Sequence, residues 1–183
     1  MKGSSWSVLP KVNVVTSDVF TYLCTVFNTE GMKIEEEIKQ IKWRSEKQKA
    51  VINIIFTANW INQQQSKLLK RFGLTSQQYN VLRILRGQKG NPITVKSINE
   101  RMLDRMSNVS RLVDKLVNKK LVDRQYCKDD RRRVDIVITK TGLAFLDEID
   151  PLIEQLSVTL DGMTEENAAE LNDLLNRVRE TEI

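Results

Sequence analysis

The chain has 183 residues, of which 40% are hydrophobic and 29% charged, with seven glycines, three prolines and a net charge of +5; this is the composition of a soluble globular protein with one domain, or one domain and a helical extension. It has no histidine, which removes the commonest general base and zinc ligand, and without a metal-ligand cluster, a glycine-rich phosphate loop or a nucleophile beside a base neither an enzyme nor a cofactor is expected. No apolar run reaches the roughly 18 residues of a membrane span.

The two cysteines, Cys24 and Cys127, form no CxxC pair, so a reducing cytoplasm is the expected compartment. Charge is unevenly spread. Residues 33–88 carry 11 Lys and Arg against 4 Asp and Glu, residues 89–140 carry 14 against 7, and residues 141–183 carry 2 against 11. A basic body with an acidic C-terminal segment points to an anionic partner on one face.

Residues 1–31 read as a weakly ordered extension or an upstream reading-frame artefact. Their β-branched and aromatic stretch is interrupted by Asp18 and ends without a cleavage signal, whereas Met32 opens a more regular sequence. Expression from Met32 tests this. From Lys33 to Phe72 the apolar residues recur at helical spacing, with Glu35, Glu36 and Glu37 at the start and Lys67, Lys70 and Arg71 at the end. That length predicts one break near residues 43–47, and apolar residues on more than one side predict a helix that pairs with a second copy of the chain.

Thr75 is the expected cap of the next helix, with Tyr79, Leu82 and Leu85 on its inner face. After a break at residues 87–92 (GQKGNP), Thr94 is expected to cap a short helix reaching about Leu103, with Ile98 and Met102 inward. A further helix is expected from Asp104 or Arg105 to Lys119. Val109, Leu112, Val113, Leu116 and Val117 form its apolar stripe, and Ser107, Asn108, Ser110, Arg111, Asp114, Lys115 and Asn118 its outer side. Short polar side chains followed by cations suit a helix that enters the DNA major groove, where small residues permit close approach and Arg or Lys reach guanines or phosphates. Taken alone, such a face better fits an ordinary amphipathic helix with a polar outer side.

The segment after this helix decides between the two. Residues 121–127 (LVDRQYC) and 134–139 (VDIVIT) alternate as strands around 128–133 (KDDRRR). Arg131, Arg132 and Arg133 at a hairpin tip contribute little to folding, but suit a phosphate backbone or minor groove. One of Asp129 and Asp130 is expected to turn inward and orient an arginine. Thr139 caps the next predicted helix, whose stripe is Leu143, Leu146, Ile149, Leu152, Ile153 and Leu156, with Pro151 forcing a bend or restart. Asp161 and Gly162 make a turn into a last, acidic helix that carries Leu171, Leu174, Leu175 and Val178.

Residues 107–116 (SNVSRLVDKL), the strand start LVDR at 121–124 and the wing sequence DRRRVDIVITKTG at 130–142 resemble the MarR family of bacterial winged helix-turn-helix transcriptional regulators. The resemblance covers residues 74–142. It implies a mainly α fold with a small β-hairpin wing (α+β), in which residues 74–142 are the DNA-binding domain, and residues 32–73 and 143–183 supply N- and C-terminal dimerisation helices. It further implies a homodimer that binds a roughly palindromic double-stranded operator, a repressor in the bacterial cytoplasm that joins the nucleoid when bound to DNA. Ser107, Asn108, Ser110 and Arg111 fall on the groove-facing side of the recognition helix, with Lys115 further along it. Asp130 and Arg132 fall on the paired wing residues, Arg132 in the minor groove. Relatives released by small aromatic molecules imply an effector pocket, for which Trp60 and Tyr79 are the candidates, although ordinary core packing fits each of them better. The competing assignment is a winged-helix module for protein contact without specific DNA binding, but such a wing has no reason to be so basic. This chain departs from the family in two ways. Lys120 stands where the family often has Gly, at a cost of about 1 kcal/mol if the backbone there is left-handed. Residues 32–121 hold no cysteine, so the family's oxidant-sensing chemistry is not expected, and Cys127 at the wing base is a poor substitute for it.

Overall fold

The computed structural model describes residues 33–126, 134–154 and 162–180. The expectations for residues 1–31, for Cys24 and Cys127, and for Asp129, Asp130, Arg131, Arg132 and Arg133 therefore lie outside the described residues, as do those for Leu156 and Asp161. The chain separates into two compact units, Met1–Ile54 and Ile55–Ile183, with the division falling inside a helix.

In the first unit, α1 (Ile34–Glu37) buries Ile34. Its Glu35 carboxylate lies 2.5 Å from the Lys49 ammonium, and that hydrogen bond lowers the Glu35 pKa and raises that of Lys49. The expected break before the long helix is wider than residues 43–47. Lys39 takes a left-handed backbone, φ 54°, which ends α1, and the long helix α2 (Glu46–Arg71) begins only after Ser45. The Ser45 hydroxyl accepts from the Gln48 N–H at 3.2 Å, a side-chain cap on one of the orphan donors of the first turn.

In the second unit, α2 ends at a glycine. Gly73 has φ 65°, and the Gly73 and Leu74 N–H groups return to the Lys70 and Leu69 carbonyls, both at 3.0 Å. This is the paired closure that a left-handed residue after a helix makes. Helix α3 (Ser76–Gly87) opens with a capping box: the Thr75 hydroxyl accepts from Gln78 N–H, and the Gln78 carbonyl oxygen accepts from Thr75 N–H. That exchange gives the side-chain oxygen of Gln78, a buried polar residue, its partner. Strand β1 (Ile93–Thr94) and helix α4 (Val95–Asn99) follow, with Thr94 capping through Ser97 N–H. Then come α5 (Val109–Asn118), β2 (Val122–Tyr126), β3 (Val134–Ile138), α6 (Lys140–Glu154) and α7 (Glu165–Glu180).

The strands form a three-stranded antiparallel sheet in the order β1-β3-β2. Val122 faces Ile138 and Tyr126 faces Val134 across β2 and β3, while Ile93 faces Ile136 across β1 and β3. The hairpin was expected from alternation; β1 was not, since two residues are too few for a period to register. Helix α4 is also shorter than expected and α5 starts later. Residues 100–108 turn instead, because the Asp104 carboxylate takes the Met106 N–H at 3.0 Å and Asn80 takes the Leu103 N–H at 3.0 Å, both away from helical carbonyls.

One core joins α2, α3, α4, α5, β3 and α6: Leu69, Leu82 and Leu85 meet Ile98, Val113, Leu116, Ile136, Leu146 and Ile149, each no more than 1% exposed. Ile98 and Met102 are buried as expected. Leu143 is not; it is 37% exposed, because the first turn of α6 turns Gly142 toward the sheet instead. Helix α6 also runs on through Pro151 to Glu154 rather than restarting, since the ring removes one N–H late in the helix.

Candidate nucleic-acid interface

Helix α5 is fixed by three devices. Its stripe of Val109, Val113 and Leu116 is buried, and Leu112 and Val117 pack against the same core. Its C-terminal end closes as α2 does: Lys120 has φ 60°, with the Lys120 N–H on the Val117 carbonyl at 2.8 Å and the Leu121 N–H on the Leu116 carbonyl at 3.1 Å. A non-glycine residue thus stands in the left-handed region.

The third device explains the Thr-x-x-Gly of the wing sequence. Thr139 N–H donates to the Leu121 carbonyl at 3.1 Å, its hydroxyl donates to the Lys120 carbonyl at 2.8 Å, and the same oxygen accepts from Gly142 N–H at 3.0 Å. Thr139 therefore clamps the turn after α5 to the start of α6. Gly142 is required because a Cβ there would lie 2.1 Å from the Leu121 carbonyl oxygen and 2.8 Å from the Ile138 side chain.

With its inner face held, α5 turns Ser110, Arg111, Asp114 and Lys115 to solvent. The first two polar residues are engaged differently. Asn108 is the N-cap, its side-chain oxygen accepting from Arg111 N–H at 3.1 Å. Ser107 is half-buried and precedes the helix, donating its hydroxyl proton to Asp104 at 2.9 Å. A link that sequence reasoning missed joins the strands to this helix: Arg124 on β2 donates to the Asp114 carboxylate on α5. The spacing of ten residues across a turn carries no periodic signal by which to find it.

A second feature of this unit is a groove of about 560 Å³. Gln65 and Ser66 of α2, Ser76, Tyr79, Asn80 and Arg83 of α3, and Leu103 and Asp104 before α5 line it. The Ser66 and Ser76 hydroxyls are hydrogen-bonded at 3.1 Å. Tyr79 O–H donates to Asp150 of α6 at 2.7 Å and accepts from Arg83 at 3.0 Å, with the Arg83 guanidinium 5.8 Å from the ring centre. Burial, joined by the Asp150 contact, raises the Tyr79 pKa, and Arg83 opposes that rise. Arg86 also pairs with Asp150, so α3 and α6 share one small ionic network. Of the two aromatic residues expected in a pocket, Tyr79 lines this groove and Trp60 does not; Trp60 is half-buried further up α2. Among the described residues there is no group of His, Cys, Asp and Glu that could hold a metal ion, and no helix is long and apolar enough to cross a membrane.

Residues 72–133 match the sequence profile of the MarR family. An "uncharacterized HTH-type transcriptional regulator" of Bacillus cereus is 30% identical over 129 residues, which span 69% of this chain and 84% of that protein. Among solved structures, the S. aureus MepR–DNA complex superposes with a TM-score of 0.62 at 23% identity, covering 70% of this chain and 94% of that one. The PcaV transcriptional regulator of Streptomyces coelicolor, in complex with its natural ligand, superposes with a TM-score of 0.57 at 25% identity, covering 68% and 90%.

Proposed function

This chain belongs to the MarR family of transcriptional regulators, and from that premise we propose that it is a cytoplasmic, homodimeric repressor that binds a roughly palindromic operator and is released by a small molecule. One observation carries the DNA-reading part. Helix α5 is locked by its core stripe, its left-handed C-terminal closure and the Thr139–Gly142 clamp, and so displays Ser110, Arg111 and Lys115 from a rigid base beside an antiparallel hairpin. Rigid display is what base readout in a major groove requires. On this reading Arg111 and Lys115 reach bases or phosphates, Asn108 and Ser107 set the start of the helix, and Arg131, Arg132 and Arg133 engage the backbone and minor groove, with Asp130 orienting Arg132.

Two features support dimerisation. Helix α7 buries none of its residues, and Leu171, Leu174 and Val178, at the i, i+3 and i+7 positions of one face, are 39%, 47% and 58% exposed. Its acidic residues Glu165, Glu166, Glu170 and Asp173 would complement Lys67, Lys70 and Arg71 of α2 in a second copy. A two-fold dimer in turn calls for a palindromic site. Release by a small molecule is supported by the Tyr79-lined groove, whose wall includes Leu103 and Asp104. Those two residues belong to the turn that anchors the start of α5, so a ligand there touches the mounting of the reading helix.

Duplex affinity measured against salt tests the reading. Specific binding that weakens steeply with salt is expected, because neutralised phosphates release counterions. Arg111→Ala should shift sequence preference as well as affinity, while a uniform loss across sequences would make it a phosphate contact. If Arg132→Ala leaves affinity unchanged, the wing takes no part. For the effector, Ser66→Trp fills the groove and should abolish small-molecule release while operator binding persists.

A further inference from the structure

The segment that leads into α5 presents an unusual surface. Met106 is 93% exposed and Leu103 is 91% exposed, the two most exposed large apolar side chains among the described residues. Folding draws nothing from them, since the benefit of a methionine or leucine comes from removing it from water. The segment is nevertheless braced. Leu103 N–H is held by Asn80, Met106 N–H and the Ser107 hydroxyl are both held by Asp104, and Asn108 caps the helix. The side chains of Asp104, Ser107 and Asn108 are therefore engaged within the protein, and the side chain projecting two residues before the cap, next to the exposed Arg105, is an apolar one.

Position gives this exposure a use. The N-terminal end of a recognition helix is the part that meets base edges, and in the major groove thymine alone offers a methyl group. Methionine is unbranched and polarisable, so it settles against an irregular apolar surface without a fixed rotamer. Leu103 differs in also lining the effector groove, which leaves Met106 as the apolar reader.

We propose that Met106 is a specificity-determining residue that selects thymine in each operator half-site by contact with its C5-methyl group. The inference rests on the DNA-reading function proposed above. In the bound state the methionine side chain and the thymine methyl exclude water from each other, and Arg111, in the first turn of α5, contributes polar or ionic contacts to a second base or phosphate.

The test uses the full chain and an operator selected from a random duplex pool. Thymines are replaced one at a time by uracil, which deletes only the methyl group. The wild-type protein should lose about fourfold in affinity per half-site at one thymine position, the factor expected for one methyl-sized group. Met106→Ala should lose a similar factor on the thymine operator and no longer distinguish the two bases there. Met106→Leu should restore part of the discrimination, and Leu103→Ala should leave it intact. The proposal is overturned if no thymine-to-uracil change weakens wild-type binding, or if Met106→Ala discriminates as the wild type does. Failure of the regulator reading itself is a separate outcome: the wild-type protein would then enrich no sequence from the pool, before any uracil is introduced.

Discussion

Helices α5 and α7 have similar designs and opposite fates. Each carries an apolar face at helical spacing and a charged face opposite. Helix α5 places Val109, Val113 and Leu116 at no more than 4% exposure, whereas α7, though six residues longer at 16 against 10, buries none. Ten residues are fewer than the roughly 12–15 that an isolated helix needs to persist in water, so α5 is a helix because of what it packs against. The reading head thus generates its own stability. Helix α7 has an apolar face whose partner is not among the described residues of the same chain, and that face is what a second copy would cover.

The most direct way to break this comparison is to make the same kind of cut in both helices. Leu116→Ala should destabilise the head by about 3 kcal/mol, through lost burial and the cavity left in a packed core, read as a lower urea midpoint. Leu174→Ala should move the midpoint of a dilute sample hardly at all. Similar losses from both would show that α7 is packed within the chain after all. Slightly smaller than the first is Gly142→Ala, at about 2–3 kcal/mol. The atom that the new Cβ would strike is the Leu121 backbone oxygen, which cannot swing aside, so the Thr139 clamp must loosen. A neutral result in urea unfolding would remove the clamp from the list of devices that hold α5.

Next in size is the effect on assembly. Leu171→Glu with Leu174→Glu puts charge into the exposed face of α7 without touching the core, and should raise the dissociation constant of the proposed dimer by tenfold or more, about 1.4 kcal/mol. Sedimentation at a series of concentrations reads this, and operator affinity should fall with it because two linked half-sites become one. If the double variant stays dimeric, the association surface lies elsewhere.

Elements also differ in how far residue spacing alone specifies them. The stripe of α5, the caps at Thr75, Thr94 and Thr139 and the β2–β3 hairpin all rest on local periodicity or on a side chain reaching its own backbone, and each was placed from residue spacing. Strand β1 pairs by only two residues with a strand more than forty positions away, so no local signal announces it. The start of α5, at Val109 and not at Asp104 or Arg105, departs from the spacing for a related reason. Asp104 and Asn80 withdraw N–H groups from the helical pattern, and Asn80 lies in a different helix. At the interface, the polar outer face was readable. The engagement of Ser107 and Asn108 within the protein was not, because it depends on where the helix begins, and the Arg124–Asp114 link depends on how the strand folds back over it. The pairing of Tyr79 with Asp150, 71 residues on, was beyond reach for the same reason.

The smallest predicted effect isolates the head's self-sufficiency most cleanly. Helices α2 and α5 both end in a left-handed residue followed by a buried leucine: Gly73 with φ 65° before Leu74, and Lys120 with φ 60° before Leu121. The hydrogen-bond closure is the same, but only the first uses the residue that adopts this backbone without steric penalty. Lys120→Gly should therefore stabilise the chain by about 1 kcal/mol, less a few tenths for the greater freedom of glycine in the unfolded state. Gly73→Ala should cost about as much, with an added contribution because its Cβ would come within 3.3 Å of the Lys119 ammonium, which itself donates to the Gly73 carbonyl. Both changes act on closures internal to the head, so their shifts in urea midpoint should be the same in the Leu171→Glu, Leu174→Glu background as in the wild type. If the Lys120→Gly gain disappears when the dimer is broken, the end of α5 is set by assembly, and the head does not stand alone.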